Sequence, residues 1–389
     1  MNHQHLIELP APSPDARQHS ERLQAIILDE IENALGHISF EKFMQMALYY
    51  PGLGYYRSGA KKFGKGGDFV TAPELSPLFS HCVARQIQQV LQHDSAGCIL
   101  EVGAGSGVMA LEILRELERR KTLPDCYYIL EVSAELRDRQ YKLIAEQAPH
   151  FIERLQWLEA LPTSPISGVI VANEVLDAMP VHKFKIENGI KEFYVGCKEA
   201  QFHWSVGLPS HTKLIDAIEN LAVKFPQGYE SEINLLLTPW IKSLAAVLQK
   251  GVLLLMDYGF VRAEYYHPER SMGTLLCHYQ QRAHDDPLIF PGIQDITANV
   301  DFTAIALAGE KAGLDVAGFT HQAAFLMNCG LMEFATQNVD YRDHYLLAQQ
   351  IKRLTLPSEM GERFKAIALG KNFSDALIGF QQFDQTGRL

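Results

Sequence analysis

The 389-residue sequence predicts an α/β fold built on a mostly parallel sheet, and three observations carry that prediction. Short, strongly apolar runs alternate with amphipathic stretches from about residue 97 to 176. A glycine-rich turn, "GAGSG" at Gly103 to Gly107, joins the first run to the first amphipathic stretch. Acids and amides recur just past the ends of the apolar runs. Strands apolar at nearly every position are buried on both faces, as in parallel sheets covered by helices.

The elements follow in order. Residues 1–19, rich in Pro, His and Ser, read as a flexible tail. Apolar residues at helical spacing then predict helices over about 20–34 and 39–48, with Gly36 as terminator and Ser39 as N-cap. The stretch from Pro51 carries six glycines in seventeen residues and reads as a lid loop over about 57–77. A helix follows from Ser76. "GCILEV" (97–102), "CYYILEV" (126–132), "LQWLEAL" and "GVIVANEVL" (168–176) are strands, with helices at 108–121 and 134–148. Residues 181–209 alternate polar and apolar positions around "ENG", a hairpin signature that marks an antiparallel insertion. Helices around 211–224 and 232–249, a buried strand at 251–259, a loop-rich stretch at 260–297, a helix at 302–313 and the strand "LDVAGF" come next. Helices near 320–329, 343–351 and 357–364 accompany an edge strand in "FKAIALGK". The expected organisation is the tail, N-terminal helices and lid at 20–74, and a nucleotide-binding domain at 75–389. That domain carries an inserted substrate-binding region at about 181–232.

Composition narrows the class. A hydrophobic content of 47% supports a large core. A formal net charge of -11, with charges mixed along the chain, argues against a nucleic-acid partner, which needs clustered Lys and Arg. No apolar run reaches membrane-spanning length, and the N-terminus has neither a signal-peptide nor a transit-peptide pattern. The six cysteines show no CxxC spacing, and Cys98 and Cys126 read as small buried thiols in a reducing, cytoplasmic compartment. Apolar content in the tail helices leaves room for a homo-oligomer.

The glycine turn selects the ligand. A Walker loop needs GxxxxGK[ST] and a dinucleotide turn GxGxxG; the run here is GxGxG, preceded by Glu101. A carboxylate in the turn repels pyrophosphate but suits a sulfonium and ammonium joined to a neutral nucleoside. Glu131, 28 residues after Gly103 at the next strand end, is placed to accept ribose hydroxyls. S-adenosylmethionine meets these requirements, with Glu101, Gly103, Gly105, Gly107 and Glu131 as its cradle and Asn173 beside it.

The acids past the next strand, Glu174 and Asp177 in "NEVLDAMP", are expected to orient an acceptor and take its proton. Asp68 in the lid is a further catalytic candidate, and Phe69 and Thr71 are expected to close over the methionine end. Asp257 and Tyr258, Glu230, His278, Tyr279, His284, Asp285 and Asp295 are candidate acceptor contacts. The crowding of Cys277, His278, His284, Asp285 and Asp286 lacks zinc spacing, so no metal is expected.

The motifs "PGLGYY", "GGDFVTAPELSPLF", "LEVGAGSG", "ANEVLDAMP", "DYG" and "GTLLCHYQQRAHDDPLIFPGIQDITANVDFTAI" together resemble the MidA family of SAM-dependent methyltransferases. Its members are bacterial relatives of a mitochondrial complex I assembly factor. The resemblance runs from about Ile38 to the "MGERFKAIALGK" block; Asn299 stands where the family pattern has His. It implies a class I, Rossmann-like fold with a seven-stranded sheet, and methyl transfer to an arginine of a protein substrate such as a complex I subunit. A small-molecule methyltransferase and a SAM-binding assembly scaffold are the alternatives.

Overall fold

The computed structural model describes residues 9–58, 70–93, 97–336 and 341–389. It divides into two compact units. One comprises Val70–Asp177, Leu237–Tyr265 and Val300–Leu389, the other Met1–Phe69, Ala178–Leu236 and Tyr266–Asn299.

The first unit is the nucleotide-binding sheet. Its strands are β1 (Cys98–Val102), β2 (Cys126–Leu130), β3 (Leu155–Leu158), β4 (Ile166–Asn173), β5 (Leu248–Phe260), β6 (Asp315–His321) and β7 (Phe364–Lys371). They lie in the order β3-β2-β1-β4-β5-β7-β6, and a two-residue strand, Val300–Asp301, adds to the end of β5. β3 through β5 pair in parallel, and β7 runs antiparallel to both β5 and β6. Ile99, Leu100, Ile170, Val171, Leu253 and Leu254 are fully shielded from water, as expected of strands covered on both faces. The helices start where short polar side chains cap them. Ser76 opens α1 (Pro77–Leu91), Ser133 opens α3 (Ala134–Gln147) and Asp301 opens α5 (Phe302–Lys311); α2 (Val108–Arg119) instead begins at left-handed Gly107, and α4 is Leu237–Val247.

Several expectations change. "FKAIALGK" is no edge strand: β7 is interior, because its run Ala366 to Leu369 is buried and hydrogen-bonded on both sides. Cys98 and Cys126 are not separate thiols but are joined by a disulfide, since the β1–β2 register sets them directly opposite each other. Glu230–Ile233 is a strand rather than the start of a helix; it pairs with residues 182–185, and the helix begins only at Leu237.

The second unit is antiparallel. Strands Ile190–Lys198 and His182–Ile186 form the hairpin around "ENG", with Asn188 and Gly189 both at positive φ, as a tight two-stranded turn demands. Gln201–Gly207, His37–Ser39 and Glu230–Ile233 complete this sheet. The helices Pro14–Asn33 and Phe40–Tyr49 pack Leu23, Ile27, Phe40 and Phe43 into its core. The first helix starts at Pro14, capped by Ser13, so residues 14–19 are helix rather than the tail that their composition implied. Leu276–Tyr279, Arg282–His284 and Asp295–Thr297 form a three-stranded sheet inside the stretch read as loop.

Candidate active site

The glycine turn lies where β1 hands over to α2. Gly103, Gly105 and Gly107 all have left-handed backbones, with φ of 71°, 53° and 86°, a conformation that costs any residue with a Cβ about 1–2 kcal/mol. Space is tight for a side chain at two of them as well. A Cβ on Gly103 would lie 2.9 Å from Val175 Cγ2, and one on Gly107 within 3.1 Å of Gln140. The turn thus runs against the loop that follows β4, and α2 leaves its first amide N–H groups unpaired at its start.

Two acids flank the turn. Glu101, on β1, is buried, and its Oε2 accepts a 2.6 Å bond from the Tyr127 hydroxyl. Burial pushes its carboxyl up to about 7, opposed by the Tyr127 bond and reinforced by the Glu131 charge. Glu131 follows β2; its Oε1 accepts from Ser133 N at 2.9 Å and its Oε2 from Gln140 Nε2 at 3.3 Å. Gln140, on the inner face of α3, also donates to Gly105 O at 2.9 Å and accepts from Trp157 Nε1 at 2.9 Å. Tyr127, Gln140 and Trp157 are absent from the sequence reading. Nothing local marks them, because each acquires its partner only through the order of strands and helices.

A second acidic group closes the C-terminal ends of β4 and β5. Glu174 has φ of 53°, an unusual backbone for a residue with a side chain. Its Oε1 accepts from Asn173 Nδ2 at 3.0 Å and from Ala72 N at 3.2 Å, so the residue after Thr71 is tied to it. Burial, and then the Asp177 charge, push the Glu174 carboxyl up to about 8. Asp257 is completely buried. Its Oδ2 accepts from the backbone N–H of Val175, Leu176 and Asp177 at 3.1, 2.9 and 3.3 Å, and its Oδ1 from Tyr258 N at 2.8 Å. Asp257 was expected to touch the acceptor; its hydrogen bonds instead go to the backbone, so it holds the loop that carries Glu174 and Asp177. Burial and the neighbouring Asp177 and Glu174 charges raise its carboxyl well above the usual range. Tyr258, next to it, stands edge-on to Phe364.

The remaining candidates belong to the other unit. Glu230 faces two lysines, Lys183 and Lys185, each at 3.5 Å, so its charge is already matched. Asp295 is buried and accepts from the Tyr56 hydroxyl at 2.9 Å. His278 stands opposite Asp295 in the strand register, and burial lowers its pKa. His284 is lowered likewise, and Tyr279 is buried against Phe290. Asp285 is exposed. Asp68 and Phe69 lie outside the described residues, as does most of the expected lid. Among the described residues, no three His, Cys, Asp or Glu side chains are gathered as a metal ion requires.

The first unit fits S-adenosylmethionine. Two fully shielded polar atoms, Glu101 Oε1 and Asn173 Oδ1, have no hydrogen-bond partner among the described residues, and they lie on β1 and β4, the two strands flanking the turn. Buried acceptors rarely stay unmet without a missing donor. The turn beside them admits only a ligand that approaches bare backbone. Topology, turn and acids together define a methyltransferase that uses S-adenosylmethionine.

Comparison with known proteins gives the family. Residues 82–320 match the model of the S-adenosyl-L-methionine-dependent methyltransferases, and the chain belongs to that family. A crystal structure of a superfamily member from Burkholderia thailandensis, bound to S-adenosyl-homocysteine, is 40% identical with a TM-score of 0.94, covering 98% of this chain and 100% of that one. Among curated relatives, the mitochondrial protein arginine methyltransferase NDUFAF7 homolog of Drosophila melanogaster is 26% identical, covering 93% of this chain and 89% of its own. NDUFAF7 of Danio rerio is 27% identical, with 85% and 83% covered. Among the described residues no helix is long and apolar enough to cross a membrane.

Proposed function

We propose that this protein transfers a methyl group from S-adenosylmethionine to an arginine nitrogen of a protein substrate, with a subunit of respiratory complex I as the first target to test. The observation that carries the reading is the pair Glu174 and Asp177 on the loop after β4, packed beside the glycine turn through Val175 and held there by Asp257. Two neighbouring carboxyls suit a cation, and a guanidinium is a planar cation with several N–H donors. The relatives named protein arginine methyltransferases support this choice of acceptor.

The cofactor supplies an electrophilic methyl on a sulfonium. In this reading Glu131 receives the ribose hydroxyls, while Glu101 Oε1 and Asn173 Oδ1 receive N–H donors from the rest of the ligand. Glu174 acts on the acceptor. Its Oε1 is held by Asn173 and Ala72, which leaves Oε2 to meet the guanidinium. A raised carboxyl meets a cation as a proton acceptor of suitable strength: the guanidinium lowers its pKa on arrival, and Oε2 takes the proton that methylation releases. Asp177 adds charge beside it. Thr71, and Asp68 and Phe69 before it, remain the lid candidates.

Labelled S-adenosylmethionine and a lysate from cells lacking the gene test the reading, with the methyl group located by mass spectrometry. Label on a protein arginine is the expected result. Label on a metabolite makes the protein a small-molecule methyltransferase, and no label at stoichiometric protein leaves a binding scaffold. The substitution Glu174→Gln is expected to abolish transfer while S-adenosylmethionine binding stays within about tenfold of the parent, a margin of about 1.4 kcal/mol. A hundredfold or greater loss of binding would place Glu174 in the cofactor site instead.

A further inference from the structure

Gln140 is fully buried on α3 and touches three separate parts of the cofactor-binding edge. Its side-chain amide has one orientation available. The indole N–H of Trp157 can only donate, so at 2.9 Å it fixes the facing amide atom as Oε1. Nε2 is then the end that meets Gly105 O at 2.9 Å and Glu131 Oε2 at 3.3 Å, and both of those atoms are acceptors. The amide therefore spends one N–H on the middle of the glycine turn and the other on the acid at the end of β2. Trp157 is itself held by β3, in register with Ile129 of β2, two residues before Glu131. The other oxygen of Glu131 is held by Ser133 N.

We propose that Gln140 is a positioning residue for the ribose, an amide polarised by Trp157 that locks the Glu131 carboxylate and the Gly105 carbonyl into one fixed spacing. The inference rests on Glu131 receiving the ribose hydroxyls. A carboxylate held at both oxygens is restricted to one rotamer, which fixes the direction in which it meets the ribose. Without the amide, Glu131 loses that constraint and the Gly105 carbonyl loses its donor.

The test is calorimetric binding of S-adenosylhomocysteine, and of its analogue lacking both ribose hydroxyls, to the full chain at pH 5.5 and 8. Gln140→Leu is expected to weaken S-adenosylhomocysteine by about 10- to 100-fold, the scale of a hydrogen bond to a charged group. The deoxy analogue is expected to change by less than about threefold, because the constraint acts on hydroxyl recognition. Gln140→Glu puts a like charge against Glu131 at pH 8. Relative to the parent at the same pH, which accounts for the titration of Glu101 and Glu174, its affinity is expected to recover at pH 5.5, where the introduced carboxyl regains a proton to donate; simple loosening of the fold does not produce that difference. Trp157→Phe frees the amide to rotate and is expected to lower S-adenosylhomocysteine affinity selectively by a smaller factor; if the Gln140 variants do not fold, it carries the test alone. Equal weakening of both ligands, or unchanged S-adenosylhomocysteine binding in the folded variants at both pH values, overturns the proposal. Glu131→Gln separates the two readings. If that change leaves binding intact, the ribose assignment fails; if it weakens binding while the Gln140 and Trp157 variants do not, only this inference fails.

Discussion

Two carboxyls are pushed up into the pH range where enzymes work. Glu101 is pushed up to about 7 and Glu174 to about 8, each chiefly by burial. An ordinary glutamate in an unfolded chain titrates near 4.3, so between that pH and about 8 the folded protein holds protons that the unfolded chain has released. The unfolded state binds fewer protons, so stability falls as pH rises through this window and is fully present below it. The ligand-free protein is expected to show a falling Tm from pH 5 to 8, measured by scanning calorimetry. Glu101→Gln and Glu174→Gln are each expected to flatten part of that slope; a slope unchanged in both variants would place the protons elsewhere. Sequence spacing picked out both residues as acids beside a ligand. Their protonation was not legible there, because it depends on how completely Tyr127, Ala72 and their neighbours exclude water.

The loop after β4 illustrates how an element is held from another part of the chain. Three successive amides, Val175 to Asp177, converge on one oxygen of Asp257, 80 residues later on β5. Removing that acceptor strands three N–H groups, and each buried unmet donor costs about 1–3 kcal/mol. Asp257→Leu is therefore expected to lower stability by several times that unit and to abolish S-adenosylhomocysteine binding. Asp257→Asn keeps an acceptor oxygen, and its stability is expected to fall by only about 1 kcal/mol. Denaturant melts separate the two, and equal losses would mean that the charge matters more than the acceptor geometry. The glycine turn fails in a different way. Gly103→Ala combines a left-handed φ with a Cβ 2.9 Å from Val175 Cγ2, an expected cost of about 1–2 kcal/mol from the backbone alone. Adding Val175→Ala is expected to relieve the contact but not the backbone share, so cofactor affinity recovers only in part. Full recovery would show that the contact alone was responsible.

Taken whole, one chain builds both a sheet for the cofactor and an antiparallel unit, and it crosses between them five times. The sequence marked the antiparallel part as an insertion at 181–232, but the unit also takes in the N-terminal helices and residues 266–299. Such a joining is invisible to periodicity, because separated segments share a core only after folding. The same holds for Cys98 and Cys126, 28 residues apart and joined only because β1 pairs with β2 in that register. In denaturant without reductant, four thiols are expected to react with a thiol reagent and six after reduction. Six at the outset would mean that the pair is reduced in the isolated protein.

Most strands and helices of the cofactor sheet were legible in the sequence, together with the glycine turn and the acids at its rim, although the place of "FKAIALGK" inside the sheet was not. Those signals are local: apolar runs, spacing and residues that tolerate positive φ. The sequence also determined the ligand class, since a carboxylate two residues before the first glycine disfavours pyrophosphate. The partners of each acid came only with the fold. Asp257 became a clamp for backbone, Glu230 a partner of lysines and Glu174 a raised carboxyl tied to Ala72, while Gln140 bonded to the glycine turn unannounced. The physical reason is that a side chain's charge and hydrogen bonds are set by neighbours that folding brings from distant parts of the chain, and by the water they displace.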